Sequence, residues 1–284
     1  MTERLADITA RIEGIRQLGA VVTAMRGVAA ARAQQARGQL VAVDGYAATI
    51  ASAIGHALAP IPAASHDGPR RAIRTALVLF CAEQGFAGAF SERVLDAVDA
   101  DLGTSELLLI GTRGAAVAAE RGLAARWTSA MPSHSVGIPQ LADRIAEALY
   151  TRIAAREIDR LDAVFSQWKR GHGIDVERRR LFPLDLKAFR RPSENNPPRL
   201  NLASEALLGE LTADYLYAQL CNTALHAFAA ENEARMQAMA LARNQIERQR
   251  SLLRATQRQV RQEEITAEII ELAAGETASR TGSR

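Results

Sequence analysis

The sequence predicts an α/β protein in which a Rossmann-like open α/β domain is inserted between two long terminal helices that pair as an antiparallel coiled coil. Both ends of the chain carry apolar residues at helical spacing over unusually long stretches. Between them, short apolar runs alternate with amphipathic segments, which is the order of an open α/β sheet. The predicted boundaries are 1–58 for the N-terminal helix, 72–185 for the α/β domain and 206–275 for the C-terminal helix.

The C-terminal helix has no proline over 206–275, and Gly209 is its only interior glycine. At 1.5 Å per residue such a helix would be roughly 100 Å long, so one globular domain cannot cover both of its ends. One stripe is apolar every seven residues, at Met239, Ile246, Leu253 and Val260. The second stripe is predicted to be small or polar, at Ala242, Gln249, Thr256 and Glu263. A heptad stripe indicates a helix paired with another helix, here through a thin seam.

The N-terminal helix is predicted over 2–58 by a heptad-like seam with one stammer between its turns. The seam residues are Leu5, Ile8, Ile12, Ile15, Leu18, Val22, Met25 and Ala29, continued by Leu40, Val43, Ala47, Ile50, Ile54 and Leu58. Six glycines interrupt it: Gly14, Gly19, Gly27, Gly38, Gly45 and Gly55. Each costs roughly 0.8–1 kcal/mol relative to alanine, so we expect this helix to need the C-terminal helix along one side.

The central region supplies the strands and helices of the predicted sheet. Strands are expected where short apolar runs occur, at 75–81, 106–110 and 162–168, with an alternating edge strand at 174–182. Helices are expected at 91–102, 111–122 and 139–158, a loop at 127–137, and a proline-rich linker at 187–204.

Composition and motifs argue against an active site in this chain. The net charge is +3, the hydrophobic content 48%, and only two cysteines occur, Cys81 and Cys221, without metal or redox spacing. No run approaches the roughly 20 apolar residues of a membrane span, so we expect none. The turn GFAGAF at 85–90 lacks the lysine and hydroxyl of a P-loop and the spacing of a dinucleotide fingerprint. We therefore predict no catalytic residue, no metal and no cofactor.

Two terminal stretches carry a family resemblance. The first contains RI at 11–12, TAM at 23–25 and VAAAR at 28–32. The second contains ARMQAM at 234–239, RQ at 261–262 and ITAEIIE at 265–271. Together with the strand and glycine turn at 76–90, this order resembles the gamma subunit of the F-type ATP synthase over the whole chain.

The resemblance implies a rotor. Gamma subunits couple ion flow through the membrane sector to ATP synthesis or hydrolysis in a ring of alpha and beta subunits, whose beta subunits hold the catalytic residues. The implied partners are alpha, beta, epsilon and the membrane c-ring, without nucleic acid. The implied location is peripheral, on the cytoplasmic face of the bacterial inner membrane. The implied contacts with the alpha/beta ring are Met25, Arg32, Arg235, Arg261, Gln262, Thr266 and Glu268.

Departures from the family pattern leave alternatives open. Gly27 stands where the family has a second methionine, and Pro198–Leu202 stands where it often has a tyrosine-bearing acidic segment. The near-absence of lysine favours a divergent ATPase, and the coupling ion, H⁺ or Na⁺, stays open. A basic coiled-coil nucleic-acid-binding protein is an alternative because 243–262 is rich in arginine and glutamine. A nucleotide-dependent enzyme on the α/β domain is a third.

Overall fold

Five helices and a five-stranded sheet make up the fold in the computed structural model, which describes residues 2–59, 73–189 and 202–281. The elements in chain order are α1 (Thr2–Leu58), β1 (Thr75–Phe80), α2 (Phe90–Asp96), β2 (Glu106–Ile110), α3 (Thr112–Glu120), β3 (Trp127–Ser129), α4 (Ile138–Ala154), β4 (Arg160–Lys169), β5 (Gly173–Phe182) and α5 (Ser204–Thr281). Short 3₁₀ helices occupy Asp99–Asp101, Ser135–Gly137 and Leu186–Ala188. The predicted linker at 187–204 lies mostly outside the described residues.

The sheet has the strand order β3-β2-β1-β4-β5. The first four strands are parallel and β5 runs antiparallel to β4. In the centre, Val78 of β1 lies between Leu108 of β2 and Ala163 of β4, and all three are fully buried. Helices therefore cover both faces of the central strands, as parallel sheets require, and the predicted open α/β sheet is confirmed.

Helix ends and short elements differ from the prediction. The predicted loop at 127–137 contains β3, a three-residue strand too short to show a period. The helix predicted at 139–158 ends at Ala154, because Arg156 adopts a left-handed φ of 55° that closes the last turn. No glycine marks this end, so a helix stop signal is missing from the local sequence. The helix predicted at 91–102 ends at Asp96 and is followed by a 3₁₀ turn.

The chain forms two compact units that do not follow the predicted domain boundaries. One unit is Ala29–Arg235, and the other combines Met1–Val28 with Met236–Arg284. The larger unit therefore includes the first part of α5, which the sequence analysis assigned wholly to the coiled coil. In this part Leu220, Ala224 and Phe228 are buried in the same core as α4 and one face of the sheet. The opposite face of the sheet packs against α2 and α3.

The smaller unit pairs the start of α1 with the end of α5, and its seam differs in register from the prediction. Leu18 is exposed, and Gly19 takes its place, with its ideal Cβ position 3.4 Å from Cγ2 of Ile246. On α5 the stripe at Met239, Ile246, Leu253 and Val260 is confirmed as buried or half-buried. The half-buried second stripe beyond Ala242 is instead Arg250, Gln257 and Glu264. Because a helix has 3.6 residues per turn, the covered positions of α5 are spaced alternately four and three residues apart, as at Ile246, Arg250, Leu253 and Gln257.

By length and composition, helix α1 over Arg4–Leu58 could cross a membrane. No other helix among the described residues meets this criterion. This corrects the expectation that no stretch approaches such a span. In this fold 22% of the most apolar window of α1 is buried. Ile50, Ile54 and Leu58 are buried in a cluster with Phe189 and with Ala218 of α5.

We expect Gly38→Ala to stabilise the protein by about 0.8–1 kcal/mol, because Gly38 lies inside α1 and nothing lies within 4 Å of its ideal Cβ position. The matched control is Gly114→Ala in α3, where the new Cβ would lie 2.0 Å from Cβ of Cys81. That variant should be destabilised by about 1–3 kcal/mol. Chemical denaturation of both variants checks this, and a destabilised Gly38→Ala variant would contradict the helix assignment.

We expect stability to fall as the pH drops below about 6.5 because of His226. Burial lowers the pKa of His226, and nearby Arg179 lowers it further, against Asp44 and Glu177. The unfolded chain therefore takes up the proton at a higher pH than the folded chain, so the stabilisation is present above the unfolded pKa and lost below it. Denaturation of wild type and His226→Gln across this range should show a shallower pH dependence in the variant. Equal slopes would count against the assignment.

Candidate functional site

A buried ion pair joins α5 to the turn that follows β1. The side chains of Glu231 and Arg235 are 3% and 7% exposed, and they pair one helical turn apart. The carboxylate of Glu231 accepts a hydrogen bond from the backbone N–H of Gln84 at 3.2 Å. Arg235 donates to the backbone oxygens of Gln84 and Gly85 at 3.3 and 3.2 Å, and to the side-chain oxygen of Asn232 at 3.1 Å.

This ion pair lies where doubly wound sheets usually bind ligands. Such sheets bind at the carboxyl ends of the strands, beside the point where the strand order reverses. Here Ala230 and Ala234 of α5 pack against Ala82, which follows β1, and against Trp168 near the end of β4. The N–H of Gln84 already bonds a carboxylate of the same chain. Helix α5 thus occupies part of the space at this end of the strands, and a pocket of about 530 Å³ lined by Gln84–Gly88 and Arg113 stays open beside it.

The neighbouring loop is also fixed by internal bonds. The carboxylate of Glu83 accepts from the backbone N–H groups of Thr112 and Met131 at 3.0 and 2.8 Å. Gly111 has a φ of 106°, and a Cβ there would lie 2.5 Å from the backbone oxygen of Cys81. Only glycine fits this approach. Glu83 therefore serves the start of α3 rather than a ligand.

A second polar contact joins α1 to α5. Arg37 forms an ion pair with Glu233, and its guanidinium carbon lies 4.1 Å from the ring centroid of Trp168. Glu231, Glu233 and Arg37 cannot be singled out from the sequence, because each looks like an ordinary charged residue of a helix. The i, i+4 spacing of Glu231 and Arg235 was a usable signal for a pair, but the burial of that pair has no local signature.

Both thiols are buried. Burial raises the pKa of Cys81 to about 12, with a further contribution from the charge of Glu231. Burial raises the pKa of Cys221 to about 11, against a hydrogen bond from Tyr217 that lowers it. Both are therefore protonated at neutral pH and fill the core. Among residues 2–59, 73–189 and 202–281, no group of three or more His, Cys, Asp or Glu side chains could hold a metal ion.

Comparison with known proteins places this architecture in a family. The family described as ATP synthase matches residues 4–278. The chain belongs to the ATP synthase gamma family. The ATP synthase gamma chain of Bdellovibrio bacteriovorus is 25% identical over 291 residues, covering 96% of this chain and 98% of that protein. The gamma chain of a Parafrankia species is 27% identical over 301 residues, covering both chains completely.

Solved structures share the fold. A chain of the Euglena gracilis mitochondrial ATP synthase aligns with a TM-score of 0.67 at 15% identity, covering 100% of this chain and 97% of that one. A chain of the Tetrahymena thermophila mitochondrial ATP synthase central stalk aligns with a TM-score of 0.55 at 18% identity, covering 78% and 99%. The predicted resemblance to ATP synthase gamma subunits is confirmed, and the nucleic-acid-binding alternative gains no support.

The gamma-family residues predicted to contact the alpha/beta ring lie in different surroundings. Met25 and Arg32 are half-buried on α1, and Arg235 is buried with its donors bonded inside the chain. The remaining four are exposed on α5: Arg261, Gln262, Thr266 and Glu268. Their contacts with a partner stay predictions. The hydrogen bonds of Arg235 to Gln84, Gly85 and Glu231 also give it a structural role within the chain.

We expect Arg235→Met to destabilise the protein by about 3–5 kcal/mol, because it leaves the buried carboxylate of Glu231 without its counter-charge. The matched control is Arg243→Met, which breaks an ion pair of the same i, i+4 spacing to Glu247 with 45% and 51% exposed side chains. That control should change stability by less than about 1 kcal/mol. Urea denaturation measures the free energy of unfolding of both variants. Equal losses of stability would show that the buried pair stabilises the fold no more than the exposed pair.

Proposed function

We propose that the chain is the central rotor subunit that couples ion translocation through a membrane sector to ATP synthesis and hydrolysis in a ring of alpha and beta subunits. The observation that carries this is the family match over residues 4–278, which spans both the domain and the terminal helices. Helix α5 provides the physical link, because its first part belongs to the core of the α/β unit and its last part to the two-helix unit.

The surface of the two-helix unit supports an enclosing partner. Large apolar side chains are exposed on both of its helices: Leu18, Val21, Val28, Leu241, Leu252, Ile265, Ile269, Ile270 and Leu272. Soluble monomers rarely expose so many apolar side chains along one slender element. Arginines flank them on α5 at Arg243, Arg248, Arg254, Arg258 and Arg261, all exposed. A sleeve with apolar and acidic surfaces would complement both features.

The proposed partners are the alpha and beta subunits around the paired helices, and the epsilon subunit and c-ring beside the α/β unit. The Euglena relative comes from a structure of OSCP, F1 and c-ring. We propose that Met25, Arg32, Arg235, Arg261, Gln262, Thr266 and Glu268 contact the alpha/beta ring. To drive the catalytic sites in turn, such contacts must differ in free energy between rotor angles.

We further propose that this subunit is non-catalytic and that ATP chemistry occurs in the beta subunits. Two features support this: α5 occupies part of the crevice at the carboxyl ends of the strands, and both thiols are buried with raised pKa values. The complex would be an H⁺- or Na⁺-transporting ATPase. The relatives from Bdellovibrio and Parafrankia are bacterial proteins. We therefore place the complex peripherally on the cytoplasmic face of the inner membrane.

Deletion of the chain from Gln262 onward should abolish coupled ATP synthesis while leaving the α/β unit folded, since the core of that unit ends at Arg235. The measurement is ATP synthesis in vesicles that contain the assembled complex under an imposed ion gradient. Deletion from Gly275 onward is the control, because it retains the exposed apolar residues Ile265–Leu272.

The control should retain synthesis. A complex lacking residues from Gln262 onward that still synthesises ATP at the full rate would count against the rotor proposal. So would a failure of the full-length chain to purify with three alpha/beta pairs.

A further inference from the structure

An arginine-lined cleft lies beside the start of β4 and the end of β5. This is the opposite end of the strands from the Glu231–Arg235 pair. The cleft has a volume of about 440 Å³. Its lining combines arginines, aspartates and aromatic or apolar side chains: Arg160, Asp162, Arg178, Arg180, Pro183, Leu184, Asp185, Ala188, Phe189 and Tyr215. We call it the arginine cleft.

Two of its arginines are held rigidly by one buried carboxylate. Asp162 is fully buried, and it accepts from Arg160 at 2.6 and 2.9 Å and from Nε of Arg178 at 2.7 Å. Nη1 of Arg178 bonds Asp101 at 2.6 Å. Burial alone would raise the pKa of Asp162, but the hydrogen bonds from Arg160 and Arg178 lower it below its ordinary value. Both guanidinium groups are therefore fixed before any partner arrives.

These fixed arginines keep unused donors. A guanidinium has five N–H groups. The recorded bonds of Arg160 leave Nη1 without an acceptor, and those of Arg178 leave Nη2 without one, within the part of the chain that the structure describes. Preorganised donors lose little side-chain entropy when they bind an anion.

Arg180 is the third arginine of the cleft and the one without an ion pair in the described residues. It lies two residues after Arg178 on β5, so both side chains stand on the same face of the strand. It is exposed, and among residues 2–59, 73–189 and 202–281 it makes no ion pair. Asp185, the other aspartate of the lining, accepts from the backbone N–H of Lys187 at 3.0 Å. Within the described residues, the cleft thus combines two fixed arginines with Arg180 and Asp185, which have no ion pair.

Two aromatic rings line the arginine cleft: Phe189, which is 9% exposed, and Tyr215, which is half-buried and presents the larger accessible surface. Phe189 and Tyr215 pack edge to face, with ring centroids 5.2 Å apart. Arginine and tyrosine are enriched among the residues that dominate protein–protein binding, and aromatic residues are enriched at interfaces in general. A bare phosphate ion would use the arginines but not these rings. The composition therefore favours a protein segment over a small anion.

We propose that the arginine cleft docks an aspartate or glutamate side chain of a neighbouring subunit, with the residues flanking that carboxylate packed on Phe189 and Tyr215. Arginine binds carboxylates through two parallel hydrogen bonds, which gives the contact a defined geometry. This inference rests on the proposed function, since it requires a multisubunit complex. It adds a specific acidic contact on the α/β unit.

The first experiment identifies the docked segment. A photo-crosslinking amino acid, p-benzoylphenylalanine, replaces Tyr215 in the purified ATP synthase complex, and mass spectrometry identifies the linked peptide. We expect a peptide of another subunit with an aspartate or glutamate within a few residues of the link. A linked peptide without a carboxylate, or no link to another subunit, overturns the proposal.

The second experiment measures the charge. Arg180→Glu should weaken retention of the linked subunit about tenfold in Kd, measured by native mass spectrometry over increasing salt. Arg144→Glu, at an exposed arginine of α4 with no recorded ion pair, is the matched control and should retain it. Exchange of the partner's carboxylate for arginine should restore binding to Arg180→Glu. Equal retention in both variants contradicts the proposal.

A third measurement separates a small anion from a protein segment. Inorganic phosphate is titrated into the complex at constant ionic strength, and thermal unfolding is followed. Stabilisation that depends on Arg180 would show that the cleft is open to a free anion in the complex and would overturn the docking proposal. No Arg180-dependent effect supports it. If the full-length chain fails to assemble with alpha and beta subunits at all, the proposed function fails first, and the two failures are thereby distinguished.

Discussion

The ion pair between Glu231 and Arg235 fixes the relation between helix α5 and the sheet of the larger unit. Both groups are almost completely buried, so their desolvation must be offset by each other and by the backbone of Gln84 and Gly85. Such a pair is weak evidence for added stability, because apolar residues of similar size can be as stable. Its effect is geometric: only one position of α5 satisfies all of these hydrogen bonds.

In this position α5 occupies part of the space in which sheets of this topology usually bind ligands. The backbone N–H of Gln84 and the turn after it would be free to approach an anion in a doubly wound enzyme. Here Glu231 supplies the anion from within the chain, and Ala230 and Ala234 fill the space beside Trp168. The same helix then continues into the two-helix unit. The sheet therefore holds the first part of α5 in one position.

The two units have opposite surface properties. In the larger unit, the run Leu220–Ala230 of α5 is almost continuously buried, as expected for a helix enclosed by a sheet, α4 and α1. In the smaller unit, one face of α5 is covered and large apolar residues such as Leu252 and Ile269 are exposed. One sequence thus changes from a core helix to a surface helix within a few turns. The change occurs at the boundary between Arg235 and Met236.

Periodicity and composition were sufficient for the long helices, the strands at 106–110 and 174–182, the edge position of β5 and the family resemblance. These features depend on local patterns, since a strand or helix shows its apolar face in its own residues. The three-residue strand β3 has too few residues to show a pattern, and the end of α4 at Arg156 has no glycine to mark it. Only the tertiary structure decided that Arg235 is buried, that Gly19 rather than Leu18 lies in the seam, and that Asp162 holds two arginines. Each of these depends on what lies opposite a residue, and a sequence states which face is apolar without stating which partner, at which register, will cover it.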